Sequence, residues 1–238
     1  MLSIIIPTLN EEEGIAKTIC SIPKEIRKKS EVIVVDVSND YTPIIAEKLG
    51  AKVIRVKRKG KGWQMRKGVK ESKGDILIFM DGDGTDPGEY IPKLLKKIKT
   101  ANLILGCRSE KKMKEDYSMM RGFFKFYKIF TYHFYLVNFK VSDPLAGFRA
   151  IKKKDWDKLD LKSNAFEIET EMNIKAIKAE FKIKEVTIPN LKRCGKSKFG
   201  TNPKMWFKVS KLFLESIRDP IIKLRIKKEI KKFFNSEI

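Results

Sequence analysis

The order of the apolar segments is what most restricts this chain. From Leu2 to Leu105, short runs of isoleucine, leucine and valine alternate with amphipathic stretches. Leu2–Ile6, Val32–Val35, Lys52–Val56, Ile76–Met80 and Leu103–Leu105 read as strands, and most of these runs are apolar at nearly every position, as strands buried on both faces are. Between them, Glu11–Ser21 (with Asn10 as N-cap), Pro43–Leu49, Trp63–Ser72 (closed by Gly74) and Pro87–Lys99 read as helices. A β-α-β-α order predicts an α/β fold, a mostly parallel sheet with helices on both faces. Ligands of such sheets sit at the carboxyl ends of the strands. Those ends carry Pro7-Thr8-Leu9-Asn10-Glu11, Asp36 and Asp81-Gly82-Asp83.

The second half is less regular. Arg121–Val137 spaces Phe123, Phe126, Phe130 and Phe134 at helical intervals. Leu145–Ile151 reads as a strand, Glu169–Lys178 as a helix, and Lys182–Ile188 as a strand stopped by Pro189. Lys192–Lys198 is a basic loop, and Trp206–Ile217 and Ile221–Phe234 are helices parted at Asp219-Pro220. The simplest partition is one domain over residues 1–200 and an amphipathic helical extension over 201–238.

Several classes of chemistry are excluded early. The cysteines Cys20, Cys107 and Cys194 are odd in number and far apart, so no disulfide framework is readable. His133 is the single histidine, which removes a multi-histidine zinc site. Lysine and arginine number 52 against 30 acidic residues, a formal charge of +22. Such a surface attracts polyanions, whether phosphorylated ligands, nucleic acid or an anionic bilayer. No known aromatic-basic RNA module is present, so a nucleic-acid-binding protein is the weaker expectation. The N-terminus reads as a strand rather than a signal peptide, and no run reaches the roughly 18–20 apolar residues of a spanning helix. The expectation is a cytoplasmic protein that docks on the cytoplasmic face of a membrane.

The sharpest motif is Asp81-Gly82-Asp83 at the end of an apolar strand. Carboxylates at i and i+2 of an extended chain share a side, and the glycine lets a ligand approach the backbone. Paired carboxylates repel unless a cation lies between them, and an oxygen-only donor set suits Mg²⁺ or Mn²⁺. An ordinary Asp/Gly turn running to Pro87 fits the same residues. Asp36 either accepts hydrogen bonds from a base or ribose or is a turn residue. Lys59-Gly60-Lys61-Gly62 can shape a phosphate or nucleotide pocket, but it matches neither the P-loop nor the dinucleotide fingerprint. Arg108, Lys192, Arg193, Lys196 and Lys198 can clamp phosphate or form a solvated basic surface. The helices from Phe123 and from Ile221 suit a bilayer interface or packing on the core.

In this order, from about Ser3 to Phe199, the motifs resemble family 2 glycosyltransferases of the GT-A fold. The likeness is greatest to dolichyl-phosphate mannosyltransferases and related polyprenyl-phosphate sugar transferases. It is carried by Ile6-Pro7-Thr8-Leu9-Asn10-Glu11, Val34 to Thr42, Gly60 to Asp75, Met80-Asp81-Gly82-Asp83, Gly106-Cys107-Arg108, Asp143 to Arg149, and Gly195-Lys196-Ser197-Lys198. The resemblance implies that Pro7, Leu9, Glu11 and Asp36 line a nucleoside pocket. It implies that Asp81 and Asp83, spaced by Gly82, hold Mg²⁺ or Mn²⁺ against a diphosphate. Arg108, Arg121, Lys192 or Arg193, and Lys198 would meet phosphates, and Asp143 would position the nucleophile. Asp83, Asp143 and Arg108 are the expected catalytic residues. The implied reaction is inverting transfer of a hexose, mannose favoured, to a polyprenyl or dolichyl phosphate, with GDP-mannose or UDP-glucose as donor. A soluble or glycan acceptor is the alternative within the family. Two positions depart from the family pattern: the double aspartate after the second strand is Asp36-Val37 here, and Thr85 stands two residues past Asp83.

Overall fold

The computed structural model describes residues 1–108, 142–195 and, apart from 225, 203–227. The expected Phe123–Val137 helix, His133, Arg121, Lys196 and Lys198 lie outside the described residues.

A seven-stranded sheet forms the centre, in the order β3-β2-β1-β4-β6-β5-β7. Its strands are β1 (Leu2–Thr8), β2 (Ser30–Asp36), β3 (Lys52–Arg55), β4 (Ile76–Phe79), β5 (Leu103–Arg108), β6 (Arg149–Lys152) and β7 (Ile183–Ile188). All pairings are parallel except those of β6, which runs antiparallel between β4 and β5. The first three strands build outward from β1 on one side, and β4 returns to pair on its other side. The carboxyl ends of β1 and β4 therefore flank a topological switch point, where ligands of such sheets bind.

The helices are α1 (Ile15–Ser21), α2 (Lys24–Arg27), α3 (Thr42–Lys48), α4 (Lys61–Glu71), α5 (Ile91–Ile98), α6 (Lys153–Leu159), α7 (Ile168–Lys178) and α8 (Pro203–Arg218). Strand alternation splits the core in two. Ile4, Ile6, Ile78 and Ile104 pack with Ile15 and Ile19 of α1 and Leu94 and Ile98 of α5. Ile5, Leu77, Phe79 and Leu105 face the opposite layer, with Met65 of α4, Trp156 of α6 and Met172 of α7. Val209 of α8 and Ile222 belong to that second cluster, so residues past 200 share the core of those before.

Several boundaries differ from the sequence expectation. The helix expected from Glu11 begins at Ile15. Asn10 takes a left-handed backbone (φ 50°). The Glu11 N–H donates to Thr42 Oγ1 (2.8 Å) and the Glu12 N–H to Asp40 Oδ2 (3.2 Å). These amides secure the β2–α3 loop rather than start a helix. The helix expected over Pro87–Lys99 divides into a 3₁₀ turn, Gly88–Tyr90, and α5. The strand expected over Leu145–Ile151 is shorter and later, at Arg149–Lys152. Its first part is a loop held by Arg149. That guanidinium is fully buried and donates to the carbonyls of Ala146 (2.7 Å), Pro144 (2.9 Å) and Glu169 (3.2 Å) and to Asn173 Oδ1 (2.7 Å). Helices α2 and α6 were not expected.

Candidate active site

A cleft opens at the switch point, over the carboxyl ends of β1 and β4. Pro7, Leu9 and Glu11 line it from the β1 side, and Asp81, Gly82 and Asp83 from the β4 side. Lys61 and Gln64 of α4, Phe166 and Arg193 complete the walls. The structure thus brings together Pro7, Leu9, Glu11, Asp81, Gly82, Asp83 and Arg193 from the sequence-derived set.

The aspartate turn is built by its own hydrogen bonds. Asp83 Oδ1 accepts the Thr85 N–H (3.0 Å) and hydroxyl (2.6 Å), and Asp86 accepts the Asp81 N–H (2.7 Å). Helix α1 presses on the turn from below: a Cβ on Gly14 would lie 2.7 Å from the Asp83 backbone. Thr18 ties the layers, donating to the Asp81 carbonyl (3.1 Å) and accepting the Gly84 N–H (3.0 Å). The short side chains that bracket the motif set how closely α1 approaches the strand ends.

Lys61 enters from α4. Its Nζ lies 2.6 Å from Asp81 Oδ1 and 2.6 Å from Glu169 Oε1, and 5.4 Å from the centre of the Phe166 ring. Burial alone would lower the ammonium's proton affinity; the Asp81 and Glu169 carboxylates outweigh it and hold it well above the usual lysine range. Three glycines make room. A Cβ on Gly60 or Gly62 would come within 2.3 Å of the Asn164 or Ser163 carbonyl oxygen, and one on Gly147 within 2.7 Å of Asp81 Oδ2. The Lys59–Gly62 segment therefore serves close backbone contact with residues 163–165 and delivery of Lys61 to the carboxylates.

Burial works against the charge on Asp81, but Lys61, Arg193 and Arg108 pull its carboxyl below the usual range. Asp86 is pushed well up, by burial and by the charges of Asp81 and Asp83. Arg193, on the loop after β7, donates Nη1 to Asp83 Oδ2 and Nη2 to Glu11 Oε1 (3.0 Å). Four carboxylates (Glu11, Asp81, Asp83, Glu169) thus face two cleft-wall cations, Lys61 and Arg193. Hard oxygen donors in anionic surplus fit Mg²⁺ or Mn²⁺. Among the described residues no three ligating side chains converge, so Asp81 and Asp83 would leave coordination positions to substrate and water, as Mg²⁺ sites commonly do.

Other expected residues stand apart. Asp36 is fully buried. Thr8 (2.7 Å) and Ser38 (2.5 Å) donate hydroxyls to its Oδ1, and the Ser38 N–H (3.1 Å) and Arg55 (2.8 Å) donate to its Oδ2. It braces the β1 and β2 ends beside the cleft and is not on its wall. Asp143, also fully buried, accepts Arg108 Nε–H at 2.8 Å, and neither lines this cleft. The arrangement makes Asp143 the residue that orients Arg108. Lys192 points outward, and its carbonyl accepts Lys17 Nζ (3.2 Å). Sequence reasoning singled out the Lys59–Gly62 segment for a phosphate or nucleotide pocket but not Lys61 as the partner of the aspartate, and it missed Glu169, Phe166 and Gln64. Gln64 Nε2 bridges the Thr8 (2.9 Å) and Val35 (2.7 Å) carbonyls and so fixes the cleft floor.

Residues 3–159 match the glycosyl transferase family 2 model. The chain is 30% identical over 217 residues to the low-salt glycan biosynthesis hexosyltransferase of Haloferax volcanii, covering 86% of this chain and 51% of that protein. It is 29% identical over 199 residues to the dolichyl-phosphate hexose transferase of the same organism (83% and 86%). It is 32% identical over 184 residues to the dolichol-phosphate mannosyltransferase of Pyrococcus furiosus (73% and 52%). The chain spans about half the length of the first and third of these relatives. Glucosyl-3-phosphoglycerate synthase of Mycobacterium tuberculosis, crystallised with Mn²⁺, UDP-glucose and phosphoglyceric acid, superposes with a TM-score of 0.71 at 22% identity, covering 92% of this chain and 80% of that one. That likeness is one of fold, and it matches the mostly parallel GT-A sheet expected from the motifs. With a family match over most of the chain, and a carboxylate cleft at the switch point of the sheet, this chain belongs to glycosyl transferase family 2.

Proposed function

We propose that the chain is a hexosyltransferase that moves a hexose from a nucleotide-diphosphate sugar to a polyprenyl or dolichyl phosphate, with inversion and with a divalent cation. The observation that carries this reading is the anionic surplus of the cleft around Asp81 and Asp83, at the place where such sheets bind ligands. The named activities of the relatives support the hexose and the lipid phosphate. Asp81 and Asp83 would hold Mg²⁺ or Mn²⁺, which supplies charge neutralisation on a departing diphosphate. Lys61 keeps Asp81 ionised and fixed. Pro7, Leu9 and Glu11 offer the wall on which a nucleoside rests, with Asp36 bracing the strand ends beneath it. Arg193 and Arg108 supply guanidiniums for phosphate, Arg108 in the orientation Asp143 gives it. A phosphate acceptor is already anionic near neutral pH, its second pKa being about 6, so it needs little help from a base. The buried place of Asp143 is compatible with that demand.

The acceptor's tail brings the enzyme to a membrane. No described helix is long and apolar enough to cross one. Helix α8 and residues 220–224 nonetheless expose Phe207, Leu214, Ile217, Ile221 and Leu224, while Val209 and Ile222 on the other side enter the core. Lys208, Lys211, Arg218 and Lys223 are exposed on the same segment. An outward apolar stripe bordered by cations suits an anionic bilayer surface.

The test incubates the protein with radiolabelled GDP-mannose or UDP-glucose, dolichyl phosphate and Mn²⁺, and measures label extracted into organic solvent. One donor should give product that EDTA abolishes. No transfer from any nucleotide-sugar, or transfer indifferent to EDTA, refutes the proposal.

A further inference from the structure

The two cations on the cleft wall are held in unequal ways. Lys61 sits between two glycines packed against residues 163–165 and keeps both its carboxylate partners at 2.6 Å. Arg193 rides on a loop. Its Nη1 and Nη2 bridge Asp83 and Glu11, but its Nε–H is buried with no acceptor. An orphaned buried donor disfavours the arrangement it sits in. The loop backbone is secured independently of the guanidinium: the Cys194 N–H donates to the Asp83 carbonyl (2.9 Å), and Lys17 Nζ to the Lys192 carbonyl (3.2 Å). The side chain can thus leave without the loop leaving.

With Arg193 present, three of the roughly four lone-pair sites of the Asp83 carboxylate are taken. Its Oδ1 takes both donors of Thr85, and its Oδ2 takes Arg193. A guanidinium and a divalent cation on that oxygen edge repel each other, so each weakens the other's hold on it. We propose that Arg193 is the built-in counter-ion of Asp83 and Glu11, and that a divalent cation at Asp83 displaces it. The inference rests on the metal-dependent reading above and adds to it an order of events: entry of the cation frees the guanidinium fork for a phosphate. Because coupling between sites is reciprocal, whatever draws Arg193 away tightens the cation.

The test is Mn²⁺ binding to the metal-stripped, full-length protein without nucleotide, followed by the electron paramagnetic resonance signal of free Mn²⁺. Arg193→Gln should bind Mn²⁺ about tenfold more tightly than wild type, within the usual range of coupling. Arg193→Lys keeps the charge but loses the fork, and should fall between. Thermal melting gives a second readout: metal-free R193Q should melt below wild type, and Mn²⁺ should raise its midpoint further than it raises that of wild type. Should R193Q fail to fold, R193K carries the comparison. Affinity in the variants equal to or weaker than wild type overturns the displacement while leaving the metal reading intact. If neither wild type nor variants bind Mn²⁺, both readings fall.

Discussion

Replacing Lys61 by methionine tests whether the Glu169–Lys61–Asp81 chain holds the cleft together. Methionine keeps the unbranched stem and removes the ammonium. Two contacts of 2.6 Å are lost, at a side chain only 10% exposed. Removing one partner of a buried ion pair costs about 3–5 kcal/mol, because the remaining charge is stranded. The Asp81 side chain is 32% exposed and still feels Arg193 and Arg108, so its share is the smaller one. Glu169, 4% exposed, bears most of the loss. It can escape by taking up a proton: burial and then Asp81 already raise its carboxyl, and Lys61 is the chief opposing charge. A carboxyl whose folded affinity for protons exceeds its unfolded one makes the folded state bind more protons. Stability then falls as pH rises from the ordinary carboxylate range through the raised folded value, and is unaffected below both. The K61M deficit should therefore be about 3–4 kcal/mol near pH 8, and roughly half that near pH 5. That is a large part of the roughly 5–15 kcal/mol by which domains are stable. Urea unfolding followed by circular dichroism gives the deficit from midpoints at unchanged slope. Adding Glu169→Gln to K61M should recover stability near pH 8. A deficit under about 1 kcal/mol, a deficit that does not shrink as pH falls, or a double variant no better than K61M would refute the reasoning.

Gly62→Ala gains about 1 kcal/mol of helix propensity but forces a Cβ to 2.3 Å from the Ser163 carbonyl oxygen and 3.0 Å from that of Ala165. Backbone cannot yield cheaply, so a net loss of about 1–2 kcal/mol and a melting point lower by roughly 2–8 °C is expected; a rise in melting point would show that residues 163–165 move freely. Arg55→Met withdraws a 2.8 Å donor from fully buried Asp36 and should cost about 1–3 kcal/mol by chemical denaturation, with nucleotide-sugar affinity lowered because the β1 and β2 ends loosen. Leu214→Glu with Leu224→Glu, at positions 56% and 55% exposed, should abolish flotation with anionic vesicles while changing stability by no more than about 0.5 kcal/mol per site. Flotation equal to wild type would place the membrane contact elsewhere.

The fold was legible because its strands are buried on both faces. Ile4, Ile5 and Ile6 have no exposed surface at all, so nearly the whole strand is written in apolar residues whichever way each side chain points. The strand that sequence reasoning placed poorly, β6, is the one whose approach is fixed from outside. Arg149 and Asn173 hold residues 144–146 in a loop, and a guanidinium buried among carbonyls looks in sequence like one more of this chain's basic residues. The start of α1 was misplaced for a related reason. Acidic residues after an asparagine imitate a helix start, but here the amides of Glu11 and Glu12 are claimed by Thr42 and Asp40, some thirty residues away.

The same distinction explains which half of the site could be read. The carboxylates stand at strand ends, and strand ends are marked locally, by an apolar run that stops. The cations that answer them come from a helix start and a distant loop: Arg193 was expected as a phosphate partner within a basic loop rather than as the partner of these acids, and Lys61 was marked only as part of a glycine-flanked segment. What did mark Lys61 was its pair of flanking glycines, whose purpose is visible only once residues 163–165 are in place against them. Glycine beside a lysine is thus informative for a steric reason rather than as a phosphate-loop signature. The backbone there must pass so close to another chain segment that no Cβ fits, and the side chain between the glycines is carried into the interior. A lysine carried inward needs carboxylates to meet it, and the strand-end aspartate together with one acid from α7 is what this cleft provides.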